Sequence, residues 1–162
     1  MADIVSRQDR SRMMAGIRGK NTKPEILIRR GLHRLGFRFR LHDQMLPGKP
    51  DLVLAKHRAV ILVNGCFWHA HGCPLFKYPS TRRSFWKQKL ERNRDLDARN
   101  VARLRADGWR VLVIWECSIK GRNRLGDENV LSKASTWLYS NRQSGEIRGR
   151  MRQRRSSIRQ KK

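Results

Sequence analysis

The pattern that most constrains the fold is a run of cysteine and histidine, Cys66-Phe67-Trp68-His69-Ala70-His71-Gly72-Cys73, with a third cysteine far downstream at Cys117. Thiolates and imidazoles are the ligands of structural Zn²⁺ sites, which take four of them in a tetrahedron. A metal held by the run and by Cys117 would tie two distant segments together. The sequence offers five candidate ligands for four positions, and spacing alone does not decide between His69 and His71. One histidine therefore remains beside the metal and is the candidate for chemistry.

The charge of the chain predicts a polyanionic partner. The 162 residues include 38 Lys and Arg against 13 Asp and Glu, a formal net charge of +25. Such an excess favours nucleic-acid binding that weakens as salt rises. The longest apolar runs, 59–63 and 111–115, are too short to cross a bilayer, and the N-terminus lacks the apolar stretch of a secretory signal. An odd number of cysteines at metal-type spacing predicts a reducing cytoplasm.

Composition divides the chain into three parts. We predict a basic helical arm at residues 1–20, one domain at 21–140, and a basic, disordered tail at 141–162, where apolar residues are scarce. The domain is long enough to bury a core without disulfides.

Start and stop signals predict the order of elements in the domain. A helix begins at Thr22, with Glu25 completing a capping box and Pro24 in the first turn, and it ends at Gly36. Strands are predicted at 37–41, 52–54, 59–63 and 110–115, a long helix at 84–107, and a last helix capped by Asp127. One face of the long helix carries Trp86, Leu90, Asn93, Asp97, Val101 and Leu104. This order predicts an α/β fold with a mixed sheet flanked by helices.

Asp51 is a candidate ligand for a second metal. In many Mg²⁺-dependent nucleases an Asp at the start of one strand and a group on the next strand hold the ion. Taken alone the pattern is weak, because Pro50-Asp51 is also ordinary turn chemistry. Val63-Asn64 offers neither a carboxylate nor a lysine, so a metal there needs a main-chain carbonyl and a separate base, for which His69 is well placed.

Aromatic residues cluster around the cysteine run and allow two interpretations. Phe67, Trp68 and Trp86 are either satellite core packing or wedges that enter between base pairs and unstack them. Lys89 and Asn93 follow Trp86 on the same helix face.

Together these motifs resemble one known family, the very short patch repair endonucleases. The resemblance rests on Pro50-Asp51, on the run from Gly65 to Cys73, and on Phe85-Trp86, Gly108-Trp109-Arg110-Val111 and Trp115-Glu116-Cys117. It implies a restriction-endonuclease-like fold with a structural zinc site. It also implies a Mg²⁺-dependent enzyme that nicks one DNA strand beside a T·G mismatch left by deamination of 5-methylcytosine.

The resemblance also implies roles for individual residues. Asp51 and the carbonyl of Val63 would hold Mg²⁺, His69 would be the base, and Glu25 matches an acidic position near the active site. The zinc ligands would be Cys66, His71, Cys73 and Cys117, and the DNA-binding residues would be Met14, Phe67, Trp68, Trp86, Lys89 and Asn93. The chain departs from the family at two positions: it has Val63 where the family often has Thr, and Asn64 where the family often has His.

The expected partner is double-stranded DNA with a T·G mismatch, bound by a monomer, with a functional link to a DNA cytosine methyltransferase and to mismatch-repair proteins. The expected location is the bacterial cytoplasm, at the nucleoid. The main alternative is a non-catalytic, zinc-stabilised nucleic-acid-binding protein. A zinc hydrolase is disfavoured, because a closed thiolate-rich site lacks an open coordination position.

Overall fold

A computed structural model describes residues 20–151 of the chain. In chain order its elements are α1 (Lys23–Arg34), β1 (Arg40–Leu41), β2 (Leu52–Leu54), β3 (Ala59–Asn64), α2 (Arg83–Ala106), β4 (Arg110–Trp115), α3 (Asp127–Tyr139) and β5 (Ser144–Ile147). Short 3-10 helices follow β2 and β4, at Ala55–His57 and Glu116–Ser118. The predicted mixed α/β class is confirmed.

The sheet brings three distant segments to one edge. Its five strands lie in the order β1-β2-β3-β4-β5; β1, β2 and β3 pair antiparallel, whereas β3, β4 and β5 pair parallel. Because β3 and β4 are parallel, with Asn64 opposite Trp115, the segments that follow them leave the sheet side by side. Because β2 runs the other way, its first residues lie at the same edge. Asp51, the cysteine run and Cys117 therefore converge.

Helices cover both faces of the sheet. On one face α1 and α3 form the larger core with the inward side chains of the strands, including Ile28, Leu32, Ile61, Ile114 and Trp137. On the other face Leu104 of α2 packs with a smaller cluster that contains Val53, Val60, Trp109 and Val111. The face of α2 predicted from the sequence is the less exposed one, since Leu90 and Leu104 are fully buried.

The start of α1 follows the predicted cap with one difference. The backbone N–H of Glu25 donates to Thr22 Oγ1 at 3.4 Å, so Thr22 is the N-cap. The Glu25 carboxylate reaches one residue further back and accepts from the N–H of Asn21 at 2.8 Å. Glu25 is only 2% exposed, so its second oxygen faces the protein interior.

Two predicted element boundaries are wrong. The strand expected at 37–41 is reduced to Arg40–Leu41, because Phe37 turns into the helix-covered core. Asp127 is the first residue of α3 rather than its cap, since Gly126 occupies the N-cap position.

The largest difference from prediction lies at the C-terminal end. Residues 144–147 form the edge strand β5, in register with β4 through Ile114 and Ile147, and Ile147 is buried. A disordered tail beginning at residue 141 is therefore wrong for this segment, because backbone pairing with β4 does not require an apolar sequence. Residues 1–19, with the predicted arm and Met14, and residues 152–162 lie outside the described part.

Within residues 20–151, no helix combines the length and the apolar character needed to cross a membrane.

Candidate metal centre and active site

Three cysteines and one histidine form a compact cluster at the sheet edge. One ligand atom each from Cys66, His71, Cys73 and Cys117 lies within 4.8 Å of the others. His71 Nδ1 is 3.6 Å from the Sγ atoms of both Cys66 and Cys117. A tetrahedral zinc with Zn–S near 2.3 Å and Zn–N near 2.0 Å separates sulfur and nitrogen by about 3.5 Å. All three cysteines are free thiols, and the cluster could bind a metal.

Local backbone hydrogen bonds shape the loop that carries three of these ligands. The N–H of His71 donates to the carbonyl of Cys66 at 2.9 Å, and the N–H of Cys73 donates to the carbonyl of His71 at 2.8 Å. Ala70 adopts a left-handed conformation, with φ of 46°, and this reverses the chain between the two histidines. His69 and His71 consequently point to different surroundings.

The N–H groups of two distant residues donate to the cysteine sulfurs. Cys117 N–H donates to Cys66 Sγ and Gly149 N–H donates to Cys117 Sγ, both at 3.3 Å. A Cβ at position 149 would lie 2.6 Å from the carbonyl oxygen of Cys117, so only glycine permits this approach. Gly149, beyond β5, thus contacts the candidate metal centre, which the sequence did not predict.

The motif Trp115-Glu116-Cys117 supports the cluster through each of its residues. The Trp115 ring stacks on His71 with 4.0 Å between centroids and 7° between planes. Glu116 accepts a hydrogen bond from the N–H of Cys66 at 3.2 Å. Trp115 Nε1 donates to Glu146 of β5 at 2.7 Å, and the same Glu146 oxygen lies 3.8 Å from His71 Nε2. Glu146 therefore flanks the outer nitrogen of the candidate ligand, as carboxylates commonly do at metal-bound histidines.

Burial favours the neutral forms of these groups when no metal is bound. It raises the pKa of the Cys66 and Cys117 thiols and lowers the pKa of the His71 imidazole. Metal binding needs thiolates and a neutral imidazole, so it would release protons and would strengthen as pH rises.

His69 is held away from the thiols by a carboxylate of α2. Its Nδ1 hydrogen-bonds the carboxylate of Asp97, and the His69 and Asp97 side chains are 26% and 35% exposed. The helical period of the sequence predicts Asp97 on this face of α2 but indicates no function for it. A histidine whose Nδ1 is bound to a carboxylate presents Nε2 as its acceptor nitrogen.

A second cluster contains Asp51, Glu25 and His42, with one ligand atom of each within 4.8 Å of the others. Asp51 Oδ2 accepts a hydrogen bond from the N–H of Val63 at 2.7 Å, which ties β2 to the end of β3. Glu25 Oε1 is bound to His42 Nε2 and lies 3.5 Å from Arg29 Nη1. No sequence signal pointed to His42, because it follows a two-residue strand and belongs to no spaced motif.

Burial dominates the electrostatics of Asp51. It raises the pKa of Asp51 from 3.8 to about 6; the Val63 N–H lowers it, the charge of Glu25 raises it, and His42 and His69 lower it. The contribution of His69, which comes from a different segment of the chain, is the smallest of the five. A carboxylate that is costly to ionise beside a second acid is a suitable place for a cation.

The aromatic residues form a half-buried group outside both cores. Phe67 lies 5.1 Å from Trp68 and 5.5 Å from Trp86 between ring centroids, and the two Trp rings are 6.0 Å apart. Lys89 Nζ lies 5.8 Å from the Trp68 ring and 5.7 Å from that of Trp86. Asn93 Nδ2 donates to the carbonyl of Trp68 at 3.0 Å, so Asn93 holds the loop of residues 66–73 against α2.

Comparison with known proteins connects these features to one family. The family profile of DNA mismatch endonuclease Vsr matches residues 2–75. Over 147 residues the chain is 41% identical to DNA mismatch endonuclease Vsr of Escherichia coli strain K12, an alignment that covers 91% of this chain and 94% of the relative. The chain belongs to the Vsr DNA mismatch endonuclease family. This confirms the resemblance predicted from the sequence.

Two nicking enzymes are also similar over a large part of the chain. The type II nicking enzyme V.XorIIP of Xanthomonas oryzae pv. oryzae is 47% identical over 119 residues, which are 74% of this chain and 88% of the relative. The type II nicking enzyme V.NmeAIP of Neisseria meningitidis serogroup A is 40% identical over 122 residues, 75% of this chain and 87% of the relative. The Vsr profile match includes Glu25, Asp51 and the run from Cys66 to Cys73.

Proposed function

We propose that this chain is a Mg²⁺-dependent endonuclease that nicks one strand of double-stranded DNA beside a T·G mismatch from deaminated 5-methylcytosine, and so initiates very short patch repair. The observation that carries the proposal is that the buried Asp51 carboxylate binds the N–H of Val63 at the end of β3, and the loop leaving that same strand end carries His69, which is hydrogen-bonded to its own carboxylate, Asp97. Membership in the Vsr family supports the DNA substrate. The mixed sheet with helices on both faces supports a restriction-endonuclease-like fold.

Asp51 and the main-chain carbonyl of Val63 would hold the Mg²⁺, with Glu25 beside them. Carboxylate and carbonyl oxygens are the ligands that this ion prefers. The N–H of Val63 binds Asp51 Oδ2 and so fixes the carboxylate at the end of β3. When bound, the ion supplies Lewis-acid polarisation of the scissile phosphate and acidifies the attacking water.

His69 is the general base in this proposal. Its Nε2 accepts a proton from the attacking water, while Asp97 holds the Nδ1–H and stabilises the imidazolium that forms. Asp97 is thus a positioning residue, since it acts through His69.

The zinc is structural in this proposal, and its ligands are Cys66, His71, Cys73 and Cys117. Three thiolates and one imidazole complete a closed tetrahedron, which suits Zn²⁺ and leaves no position for a substrate. The zinc would connect the end of β3 to the 3-10 helix after β4. It would thereby fix His69, which lies between two ligands of the same loop.

DNA contacts would come from the aromatic group and from basic side chains. Phe67, Trp68 and Trp86 would enter between base pairs, with Lys89 over the Trp68 and Trp86 rings and Asn93 beside the mismatch. Met14, on the arm outside the described residues, would approach from the opposite groove. The enzyme would act as a monomer in the bacterial cytoplasm, with a functional link to a DNA cytosine methyltransferase and to mismatch-repair proteins.

A non-catalytic, zinc-stabilised nucleic-acid-binding protein is the second candidate. It is favoured by the net charge of +25 and by Val63-Asn64, which adds neither a carboxylate nor a lysine to the site.

A panel of duplexes with each single mismatch tests the proposed function. We expect nicking of one strand at T·G, weak or no nicking of matched DNA, and a salt-sensitive background of binding to all duplexes. Trp68→Ala should lose the preference for T·G by about tenfold or more while that background remains, because stacking contributes about 1–3 kcal/mol per base. Tyr139→Ala, an exposed aromatic at the end of α3, is the control. If Trp68→Ala lost binding to matched and mismatched duplexes equally, Trp68 would be packing within the protein instead of stacking on bases.

The raised pKa of Asp51 predicts a measurable cost in stability. Between pH 3.8 and about 6 the folded protein keeps a proton that the unfolded chain has lost, so Asp51 ionisation lowers the free energy of unfolding as pH rises through this window. Asp51→Asn should therefore be more stable than the wild type at pH 7 without Mg²⁺, by about 1–3 kcal/mol.

Urea unfolding of zinc-loaded protein at pH 5 and pH 7 measures this effect. The difference in the free energy of unfolding between Asp51→Asn and the wild type should be smaller at pH 5 than at pH 7, and smaller when Mg²⁺ is added. Asp95→Asn, an exposed substitution on α2, should have the same free energy of unfolding as the wild type. An Asp51→Asn variant less stable than the wild type at pH 7 would contradict the prediction.

A further inference from the structure

We propose that His42 is a third protein ligand of the cation site formed by Glu25 and Asp51, and that it gives this site a preference for a first-row transition ion, with Mn²⁺ as the probe, over Mg²⁺. The inference rests on the proposed function, because it concerns the ion that the candidate active site would use. It adds a ligand that neither the sequence motifs nor the family comparison assigned.

The three side chains are close enough to share one ion. A ligand atom of each lies within 4.8 Å of the others. A cation about 2.0–2.2 Å from each ligand atom separates neighbouring ligands by about 3 Å and opposite ones by about 4.3 Å. The Glu25 side chain is 2% exposed and that of His42 is 20% exposed, so the groups face each other inside the protein.

The backbone places His42 at this position. Its N–H donates to the carbonyl of Asp51 at 3.2 Å, so the two residues are joined through the main chain. Its φ of 48° lies in the left-handed region, which a residue with a side chain seldom adopts. This conformation ends β1 and directs the imidazole to Glu25. Backbone strain of this kind is concentrated at functional sites.

The donor set determines the preferred ion. Two carboxylates alone suit Mg²⁺ and Mn²⁺ alike, whereas an added imidazole nitrogen favours a first-row transition ion such as Mn²⁺ over Mg²⁺, which prefers oxygen ligands. The competing explanation is that His42 only holds Glu25 in place by a hydrogen bond, beside Arg29 at 3.5 Å. In that case removal of the imidazole would leave the ion preference unchanged.

Metal binding to the zinc-loaded, DNA-free full chain distinguishes the two explanations. Mn²⁺ binding is followed by the electron paramagnetic resonance of the free ion, and Mg²⁺ binding by competition. We expect the wild type to bind Mn²⁺ at least about tenfold more tightly than Mg²⁺, and His42→Gln to lose about tenfold in Mn²⁺ affinity with less than about a twofold change for Mg²⁺. His33→Gln, an exposed histidine of α1, is the matched control and should bind as the wild type does.

A spectroscopic measurement on the wild type does not depend on the folding of any variant. Bound Mn²⁺ should show the electron spin echo modulation of a directly coordinated nitrogen, and that modulation should be absent in His42→Gln and present in His33→Gln. Absence of nitrogen coordination in the wild type, or unchanged Mn²⁺ affinity in a folded His42→Gln, overturns the proposal.

Nicking of the T·G duplex in Mg²⁺, measured separately, distinguishes the failure of this inference from that of the proposed function. If neither ion supports nicking by the wild type, the function is wrong, while the coordination experiment still decides the ligand. If Mg²⁺ supports nicking but His42 does not affect Mn²⁺ binding, only the present inference fails.

Discussion

His69→Ala is expected to lose at least about a hundredfold in the single-turnover rate of nicking, the usual scale of a general-base contribution, and to keep its fold, its zinc and its binding to mismatched DNA. The reason is geometric. His69 hydrogen-bonds Asp97 through Nδ1 and is not part of the cluster of three cysteines and His71. Its removal therefore deletes the acceptor nitrogen but leaves all four candidate zinc ligands in place.

Asp97→Asn tests the same arrangement without removing the imidazole. An amide can hold the wrong tautomer of His69 and cannot stabilise the imidazolium, so the nicking rate should fall and the pH dependence of nicking should shift. His33→Ala, on the exposed side of α1, is the control for both variants. A zinc-free His69→Ala together with a zinc-loaded, inactive His71→Ala would mean that the base and the ligand are reversed.

Cys117→Ala and His71→Ala are expected to lose the zinc and to be destabilised by more than about 4 kcal/mol, a size reached by few single substitutions except through loss of a metal or a comparable mechanism. The cluster joins the loop after β3 to the 3-10 helix after β4, and Gly149 beyond β5 also donates to Cys117 Sγ. Without the metal, the buried thiols would have no ligand role. The loop after β3, the 3-10 helix after β4 and the segment after β5 would then no longer be held together by the metal.

Metal analysis and urea unfolding on the same preparations measure this effect. The purified wild type should contain about one zinc per chain, and His69→Ala should retain it, which makes that variant the matched control within the loop. A wild type purified without zinc, or a Cys117→Ala variant of unchanged zinc content and stability, would contradict the account.

The sequence predicted the parts of the structure that depend on local signals. Thr22 marked the start of α1, and a helical period identified the inward face of α2. The spacing of Cys66, Cys73 and Cys117 predicted the cluster that the sheet brings together. Neighbouring residues are sufficient to produce the first two features, whereas the third was predictable from the ligand types although Cys117 is distant in the chain.

The parts that were not predicted depend on contacts between distant segments. The strand β5 pairs with β4 through its backbone and has only one large apolar residue, Ile147, so it was interpreted as part of the basic tail and Glu146 was not considered. His42 meets Glu25 only after the sheet has formed. By spacing alone, either His69 or His71 could be a zinc ligand. In the structure the left-handed turn at Ala70 and the hydrogen bond to Asp97 direct His69 away from the cysteines.

The most direct test of the central claim is the nicking of an end-labelled T·G duplex by zinc-quantified wild-type protein and Asp51→Asn, with Mg²⁺ and with EDTA. We predict a single nick in one strand that requires both Mg²⁺ and Asp51, while the variant stays folded and zinc-loaded and still binds the duplex. Binding of the duplex by zinc-loaded wild type with no nick at any Mg²⁺ concentration would contradict the account and would leave the non-catalytic binding protein as the better description.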